Sequence, residues 1–453
     1  MQTKRSVCYD ENAEKIIDLL HENGYKAYYV GGCVRDALMG KKPHDFDLAT
    51  DALPAQTEEI FRKKGYSVVQ SGIRHGTVSV VLDKIPYEIT TFRTEGAYRD
   101  HRRPEEVRFV GSVKDDMARR DFTINALAYQ KAEGLLDYFA GRADLEHRIV
   151  RCVGEPEVRL REDALRILRA LRFAAVLNFT IEKHTAAAIH ACKDLLRMIS
   201  AERIWAEFTG ILTAQRPSGC LREYIDVFGV FLPELLPSVG FQQNNPWHIY
   251  DVFEHTMTAL DHTPCDLTLR LAVLFHDIGK PYAYTQDSAG VGHFKGHAAI
   301  SATLAEQILT RLHCDKHTQK SVCLLIRHHD DRIPAETAAV KKLIRRMGAE
   351  NALRAVQVEL ADKFAQNPER GKDRRQELDS ISAMVEALMQ PGAACITYAD
   401  LAVNGDDLLA AGIPQGARIG KILKLLLELV TEEKLPNERE ALLQFVRDQK
   451  DGL

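Results

Sequence analysis

Residues 30–51, VGGCVRDALMGKKPHDFDLATD, constrain the fold more than any other stretch. A glycine pair, Gly31 and Gly32, and an arginine, Arg35, are followed by two carboxylates one residue apart, Asp45 and Asp47. Alternate residues of an extended strand point to the same face. Asp-x-Asp on a strand therefore projects two hard oxygen ligands together, a set suited to Mg²⁺ rather than to a soft metal. Two glycines before a predicted helix let backbone N–H groups approach a phosphate closely. A phosphate cradle that leads into paired carboxylates points to metal-assisted phosphoryl or nucleotidyl transfer.

The surrounding pattern supplies a sheet for that strand. A helix is predicted over residues 12–22, capped near Asp10 or Asn12. KAYYVGG, FDLAT, YSVVQ, TVSVVLD and YEITTFR are rich in β-branched and aromatic residues and read as strands. From about residue 155 the pattern turns helical, with apolar residues at three- and four-residue spacing in AERIWAEFTGIL and LRLAVLFHDIGK. The proline- and asparagine-bearing stretch 231–248 reads as a linker, and NPERGKDRR (367–375) as a second break. The fold class is α+β, with a small mixed sheet at the front and helices behind.

A length of 453 residues predicts about three or four domains. The net charge of −4 hides local excesses of arginine and lysine in residues 148–172 and 341–375 that suit a phosphate backbone. The nine cysteines are scattered without a C-x-x-C pair, which argues against a zinc ribbon or a disulfide framework. No apolar run approaches the roughly 18 residues of a membrane span. A cytoplasmic protein is expected, with no membrane association and no obligate protein partner.

A third element, RRDFTINALAY (119–129), completes the front half. Together these motifs resemble the tRNA nucleotidyltransferase and bacterial poly(A) polymerase family, whose head is a polymerase-β-like nucleotidyltransferase domain. The resemblance runs from about Tyr28 to about Leu212 and returns near the C-terminus. It implies that Asp45 and Asp47 hold Mg²⁺ ions, with Glu88 of YEITTFR as a third carboxylate. It also implies nucleotide binding by Gly32, Arg35 and Arg120, and a ribose contact by Asn125. SGIRHGTVSVV (71–81) resembles the strand pair after the metal carboxylates. Residues 91–110 resemble the loop that helps switch from adding C to adding A. In REDALRILRALRFAAVLNF (161–179), the E-D-x-x-R run of Glu162, Asp163 and Arg166 resembles the family's protein template for the incoming base. Arg169 and Arg172 continue the three-residue spacing along one helix side and match nucleotide- or RNA-contacting positions.

The middle of the chain carries a different set. His255 lies in VFEHTMTAL, His276 and Asp277 in LAVLFHDIGKP, and Asp362 in VELADKFAQ. This H…HD…D pattern resembles the HD phosphohydrolase superfamily and implies a site for Mn²⁺, Ni²⁺, Co²⁺, Fe or Mg²⁺ that activates water. His297 and one of His328 or His329 complete a second metal position. The expected organisation is a catalytic head (1–150), a helical neck that selects bases and binds RNA (151–240), an HD-type unit (241–370) and a helical tRNA-binding tail (371–453).

The function this implies is template-independent addition or repair of the 3′-terminal CCA of tRNA from CTP and ATP. Poly(A) addition and A-only or CC-only addition are alternatives within the class. A metal-dependent nucleotide or cyclic-phosphate phosphohydrolase, and a non-catalytic RNA-binding protein, are alternatives outside it.

Overall fold

In a computed structural model of the chain, residues 10–43, 45–72, 76–96, 107–390 and 397–449 are described. The chain divides into two compact units, Met1–Pro233 and Glu234–Leu453. The expected head (1–150) and the expected neck as far as Pro233 fall in the first, and residues 234–240 of the neck, the HD-type stretch and the tail in the second.

The head part of the first unit holds the strands β1 (Ala27–Val30), β2 (Asp47–Thr50), β3 (Ser67–Gly72), β4 (Thr77–Leu82), β5 (Ile85–Thr91), β6 (Arg93–Glu95), β7 (Val107–Phe109), β8 (Leu127–Gln130) and β9 (Gly134–Asp137), and a further two-residue pair, Ile149–Val150 with Thr180–Ile181, follows. Seven form one sheet in the order β3-β4-β5-β2-β1-β8-β9, and β6 pairs with β7 alone. Only β2 and β5 run parallel; the other pairings in the sheet are antiparallel. The sheet is therefore mixed, and all five stretches expected as strands contribute to it.

Both faces of β1 are buried, which explains its unbroken apolar sequence. Tyr28 and Val30 join Ala49, Phe92, Met117 and Ala128 in a core on one side. Helix α1 (Glu11–Glu22) contacts β1, as does α2 (Gly32–Leu38), while α3 (Pro54–Lys63) packs on β3 and β4. Asp10 caps α1 by accepting from the N–H groups of Asn12 and Ala13. Helices α4 (Val113–Ala118) and α5 (Gly141–His147) flank the turn that carries RRDFTINALAY.

The neck contains α6 (Pro156–Glu162), α7 (Leu165–Leu177), α8 (Lys183–Cys192), α9 (Ala201–Leu212), α10 (Pro217–Glu223) and α11 (Ile225–Phe228). Residues 161–179, expected as one helix, are divided at Asp163, whose φ of −133° and ψ of 103° are extended. The Asp163 carboxylate accepts from the N–H of Leu165, a local bond that competes with helix continuation. Beyond the break α7 buries Leu165, Ile167, Leu168 and Leu171 and packs against α9.

The second unit is mostly helical, with one short antiparallel pair, Thr285–Gln286 with Gly292–His293: α12 (Val252–Asp261), α13 (Leu267–Phe275), α14 (Lys280–Ala283), α15 (His297–Arg311), α16 (Lys316–His328), α17 (Thr337–Met347), α18 (Ala349–Ala365), α19 (Pro368–Leu388), α20 (Gly405–Ala410), α21 (Ala417–Thr431) and α22 (Arg439–Asp448). The stretch 367–375, expected as a break, instead starts the long helix α19. Asn367 caps it by accepting from the N–H of Glu369, and Pro368 occupies the first turn, where its missing N–H costs nothing. The polar residues are then anchored, Arg374 to Glu359 at 2.7 Å and to Glu377 at 2.8 Å. The last three helices close a small core of Leu408, Ile422, Leu426, Leu442 and Val446.

Candidate functional site

Asp47 is the first residue of β2 and stands in register with Glu88 on the parallel strand β5. Paired positions on neighbouring strands project to the same side, so the two carboxylates share a face. Asp45 lies in the bend that enters β2 rather than on the strand itself. Phe46 between them packs edge-on against Tyr29, with ring centroids 6.0 Å apart, and fixes that bend. All three acidic residues are open to solvent. Partial burial raises the Asp47 carboxyl; Arg120 opposes the rise and the charge of Asp45 adds to it. This is the electrostatic setting of a carboxylate that gains from a nearby cation.

The turn that leads from β1 into α2 is built around Gly31, whose φ of 75° and ψ of −131° suit glycine. A Cβ at Gly31 would also lie 2.6 Å from Nη1 of Arg120. Arg120 is largely buried and pairs with Asp116 at 3.4 Å. Gly32 begins α2, and Arg35 one turn later donates from Nη1 to Oδ1 of Asn125 at 2.7 Å. Asn125 Nδ2 in turn donates to Asp121 Oδ1 at 3.1 Å, and Arg169 binds Asp121 Oδ2 at 2.7 Å. Burial alone would raise Asp121, but Arg169 and Asn125 bring its carboxyl below the ordinary value. Arg35, Asn125 and Arg169, singled out separately in the sequence, are thus joined through Asp121.

Asp163 and Arg166 have separate partners. The Asp163 carboxylate lies 3.3 Å from Arg203. Arg166 pairs with Glu162 at 2.8 Å and donates to the carbonyls of Arg159 and Arg119 at 3.0 and 3.1 Å. Arg172 pairs with Glu207 at 2.6 Å. Residues 73–75 of the 71–81 stretch and 97–106 of the 91–110 loop lie outside the described residues.

In the second unit, His255, His276, Asp277 and Asp362 converge, their ligand atoms all within 4.8 Å of one another. Asp277, His297 and His329 form a second such group, so the two clusters meet at one carboxylate. Of the adjacent pair, it is His329 that faces the cluster; His328 bonds Asp331 at 2.8 Å. A signal for this was present in the sequence: the buried stripe Val322, Leu325, Ile326 continues at helical spacing to His329, not to His328.

Each of the four imidazoles has its Nδ1 at a backbone carbonyl. The acceptors are Ala365 for His255, Val273 for His276, Phe294 for His297 and Ile326 for His329. That contact fixes the tautomer with Nε2 free as a ligand, the usual outer support of a metal-binding histidine. His276 Nε2 and Asp277 Oδ1 are buried without a hydrogen-bond partner. A mixed imidazole and carboxylate donor set with such orphaned atoms fits a borderline divalent ion.

The carboxylates of the cluster favour positive charge in its midst. Burial alone would lower His276, but Asp277 and Asp362 hold its imidazole up at about 10. Burial would raise Asp277, yet His276 and Lys280 keep it well below the carboxylate range. Lys280 Nζ lies 2.7 Å from Asp277 Oδ2 and 2.9 Å from Gln243 Oε1. Gly279 permits the close approach of α15, because a Cβ there would lie 2.5 Å from the His297 carbonyl. A pocket of about 460 Å³, lined by residues including His248, Lys280, Lys295, His297 and Asp330, reaches the cluster.

Comparison with known proteins matches both units. Residues 27–151 match a family model described as the poly A polymerase head domain, 178–237 a probable RNA and SrmB-binding site of polymerase A, and 294–446 tRNA nucleotidyltransferase domain 2, putative. A CCA-adding enzyme of Levilactobacillus brevis is 34% identical over 443 residues, 97% of this chain and 98% of that protein. The chain belongs to the CCA-adding enzyme family. Another member, from Lactiplantibacillus plantarum, is 34% identical over 96% of this chain and 95% of its own. The crystal structure of a Bacillus stearothermophilus CCA-adding enzyme in complex with CTP superposes with a TM-score of 0.68 at 28% identity, over 97% of this chain and 96% of that one. This member is accordingly a nucleotidyltransferase, and dependence on divalent metal comes with the family. Among the described residues no helix is long and apolar enough to cross a membrane.

The residues not foreseen from sequence are the partners of the foreseen ones: Asp121, Arg203, Glu207 and Lys280. Asp121 is distant in sequence from Arg169, Arg203 from Asp163 and Glu207 from Arg172, and no local spacing announces these pairs.

Proposed function

We propose that this family member adds the 3′-terminal CCA of tRNA from CTP and ATP, with no nucleic-acid template, and that Asp45, Asp47 and Glu88 carry the chemistry. The observation that carries the reading is the register of Asp47 with Glu88, with Asp45 at the strand entrance and Arg120 behind Gly31. Asp45 and Asp47 hold divalent ions, Mg²⁺ by the hardness of their oxygens, with Glu88 beside them. When bound, such ions lower the pKa of an attacking hydroxyl and neutralise a leaving pyrophosphate. The tRNA 3′-oxygen forms a bond to the nucleotide's α-phosphorus, the bond to pyrophosphate breaks, and the hydroxyl proton passes to solvent.

Arg35 and Arg120, with the N–H group at Gly32, orient the triphosphate. The partly exposed Asp163 carboxylate and the Arg166 guanidinium offer an acceptor and donors to the base edge. Arg169 and Arg172 extend the cationic side toward nucleotide or RNA phosphates. Continuation of the family match to residue 446 favours a tRNA substrate over open-ended poly(A) addition.

A second activity rests on the orphaned, buried atoms of His276 and Asp277. The cluster of His255, His276, Asp277 and Asp362, with His297 and His329, would hold transition-metal ions such as Mn²⁺, Ni²⁺ or Co²⁺, and the adjoining pocket presents Lys280 and Lys295 to a phosphoester. Phosphohydrolase activity on small phosphoesters is the reading this supports.

Asp45→Ala or Asp47→Ala is expected to abolish nucleotide incorporation while tRNA affinity stays near that of the parent, since affinity for RNA comes largely from Lys and Arg contacts to phosphate. Incorporation assays beside filter-binding assays check this, and normal incorporation by either variant contradicts it. Base choice is a separate property. Asp163→Ala or Arg166→Ala is expected to lose roughly 1–3 kcal/mol of discrimination among nucleotides, the scale of a base-edge contact. Misincorporation of UTP and GTP in single-nucleotide assays measures it, and unchanged selectivity refutes the template role. Finally, Asp277→Ala is expected to keep CCA addition and to lose both bound transition metal and any hydrolysis of 2′,3′-cyclic nucleotides. Metal analysis and hydrolysis assays with Mn²⁺, Ni²⁺ or Co²⁺ test this. Absence of hydrolysis by the parent with every metal makes the cluster structural.

A further inference from the structure

Phe173 in α7 has three guanidinium groups against one ring. The Cζ atoms of Arg35, Arg169 and Arg172 lie 5.2, 5.4 and 4.6 Å from its centroid. All are inside the ~6 Å at which a cation is attracted by the ring quadrupole. The remaining aromatic neighbour is Phe122, edge-on at 5.8 Å and 81°. A buried phenylalanine ordinarily sits among aliphatic side chains, and Phe173, 7% exposed, has the burial of a core residue but a cationic surround.

The three cations come from two places. Arg35 belongs to α2 beside the glycine pair, whereas Arg169 and Arg172 belong to α7 in the neck. Like charges brought together repel, and here each has a carboxylate partner: Asp36 at 2.8 Å, Asp121 at 2.7 Å and Glu207 at 2.6 Å. Those partners overlap in part, since Glu207 also lies 4.0 Å from Arg169 and Asn125 links Arg35 to Asp121. The Phe173 ring is a group that all three share. A guanidinium has five N–H donors, so these contacts, including that of Arg35 to Asn125, leave donors for an incoming anion.

We propose that Phe173 is a positioning residue whose π face gathers Arg35, Arg169 and Arg172 into one array that receives the triphosphate of the incoming nucleotide. The inference rests on the nucleotidyl-transfer reading of the head. It adds an aromatic residue that never touches the nucleotide yet sets the affinity for it. Because the array meets phosphate rather than base, its loss acts on CTP and ATP alike.

The test is steady-state addition by the full chain to tRNA lacking its terminus, with CTP and ATP varied separately. Phe173→Leu keeps an apolar side chain and removes the π face. It is expected to raise KM for both nucleotides roughly tenfold while kcat stays within about twofold, and Phe173→Tyr is expected to restore the parent KM. Where Phe173→Leu fails to fold, phenylalanine analogues carrying one, two and three ring fluorines at position 173 replace it. Fluorination weakens the quadrupole with little change of shape, so KM should climb stepwise while the unfolding temperature holds. A KM indifferent to fluorination, or a fall in kcat with KM unchanged, overturns the proposal. A parent protein that adds no nucleotide overturns the transferase reading instead; fluorescent-nucleotide titration of the same variants then still reports whether Phe173 governs affinity.

Discussion

The parallel pairing of β2 with β5 is the constraint on which the front of this protein depends. In a sheet otherwise antiparallel, that one pairing sets Asp47 opposite Glu88. Side chains alternate along a strand, so a slip of one residue would turn the two carboxylates to opposite faces. The register is held by what surrounds it: Leu48 and Ala49 are buried on the two faces of β2, and Ile89 is buried on β5. The exposed carboxylates Asp47 and Glu88 therefore owe their geometry to apolar neighbours in the core.

Around that point the arginines are arranged by carboxylates and by one aromatic ring. Asp121 joins Asn125 to Arg169, Glu207 holds Arg172, and Phe173 stands among three guanidinium groups. A cluster of arginines without such partners would repel itself apart; with them it stays ordered. The second unit solves a different electrostatic problem. Two carboxylates and four imidazoles are gathered away from water, each ring steadied through Nδ1. The donor sets separate the two sites chemically, hard oxygens in one and mixed nitrogen and oxygen in the other.

Much of this was legible in the sequence, for physical reasons that can be named. Strands such as AYYV and TVSVVL announce themselves by β-branched and aromatic content, and Asp10 announces the start of α1 as a cap. Short-range devices misled where two readings of the same residues compete. Asp163 reads as a helix residue by spacing, but its side chain satisfies the N–H of Leu165 and divides the helix. The polar run 367–375 reads as a loop by composition, but Asn367 and Pro368 start a helix there. Asp45 reads as a strand residue by alternation, but the strand begins at Asp47. Asp121, Glu207 and Phe173 became meaningful only once distant segments were brought together, because no local periodicity encodes such partnerships.

The most direct measurement is the product sequence on tRNA that lacks its 3′ terminus, with each nucleotide supplied alone and in combination to the purified protein and Mg²⁺. CTP alone should add two C residues and stop, CTP with ATP should complete CCA and stop, and UTP or GTP should add nothing. Long A tracts from ATP alone, or no addition with any nucleotide, would contradict a CCA-adding site built on Asp45, Asp47 and Glu88.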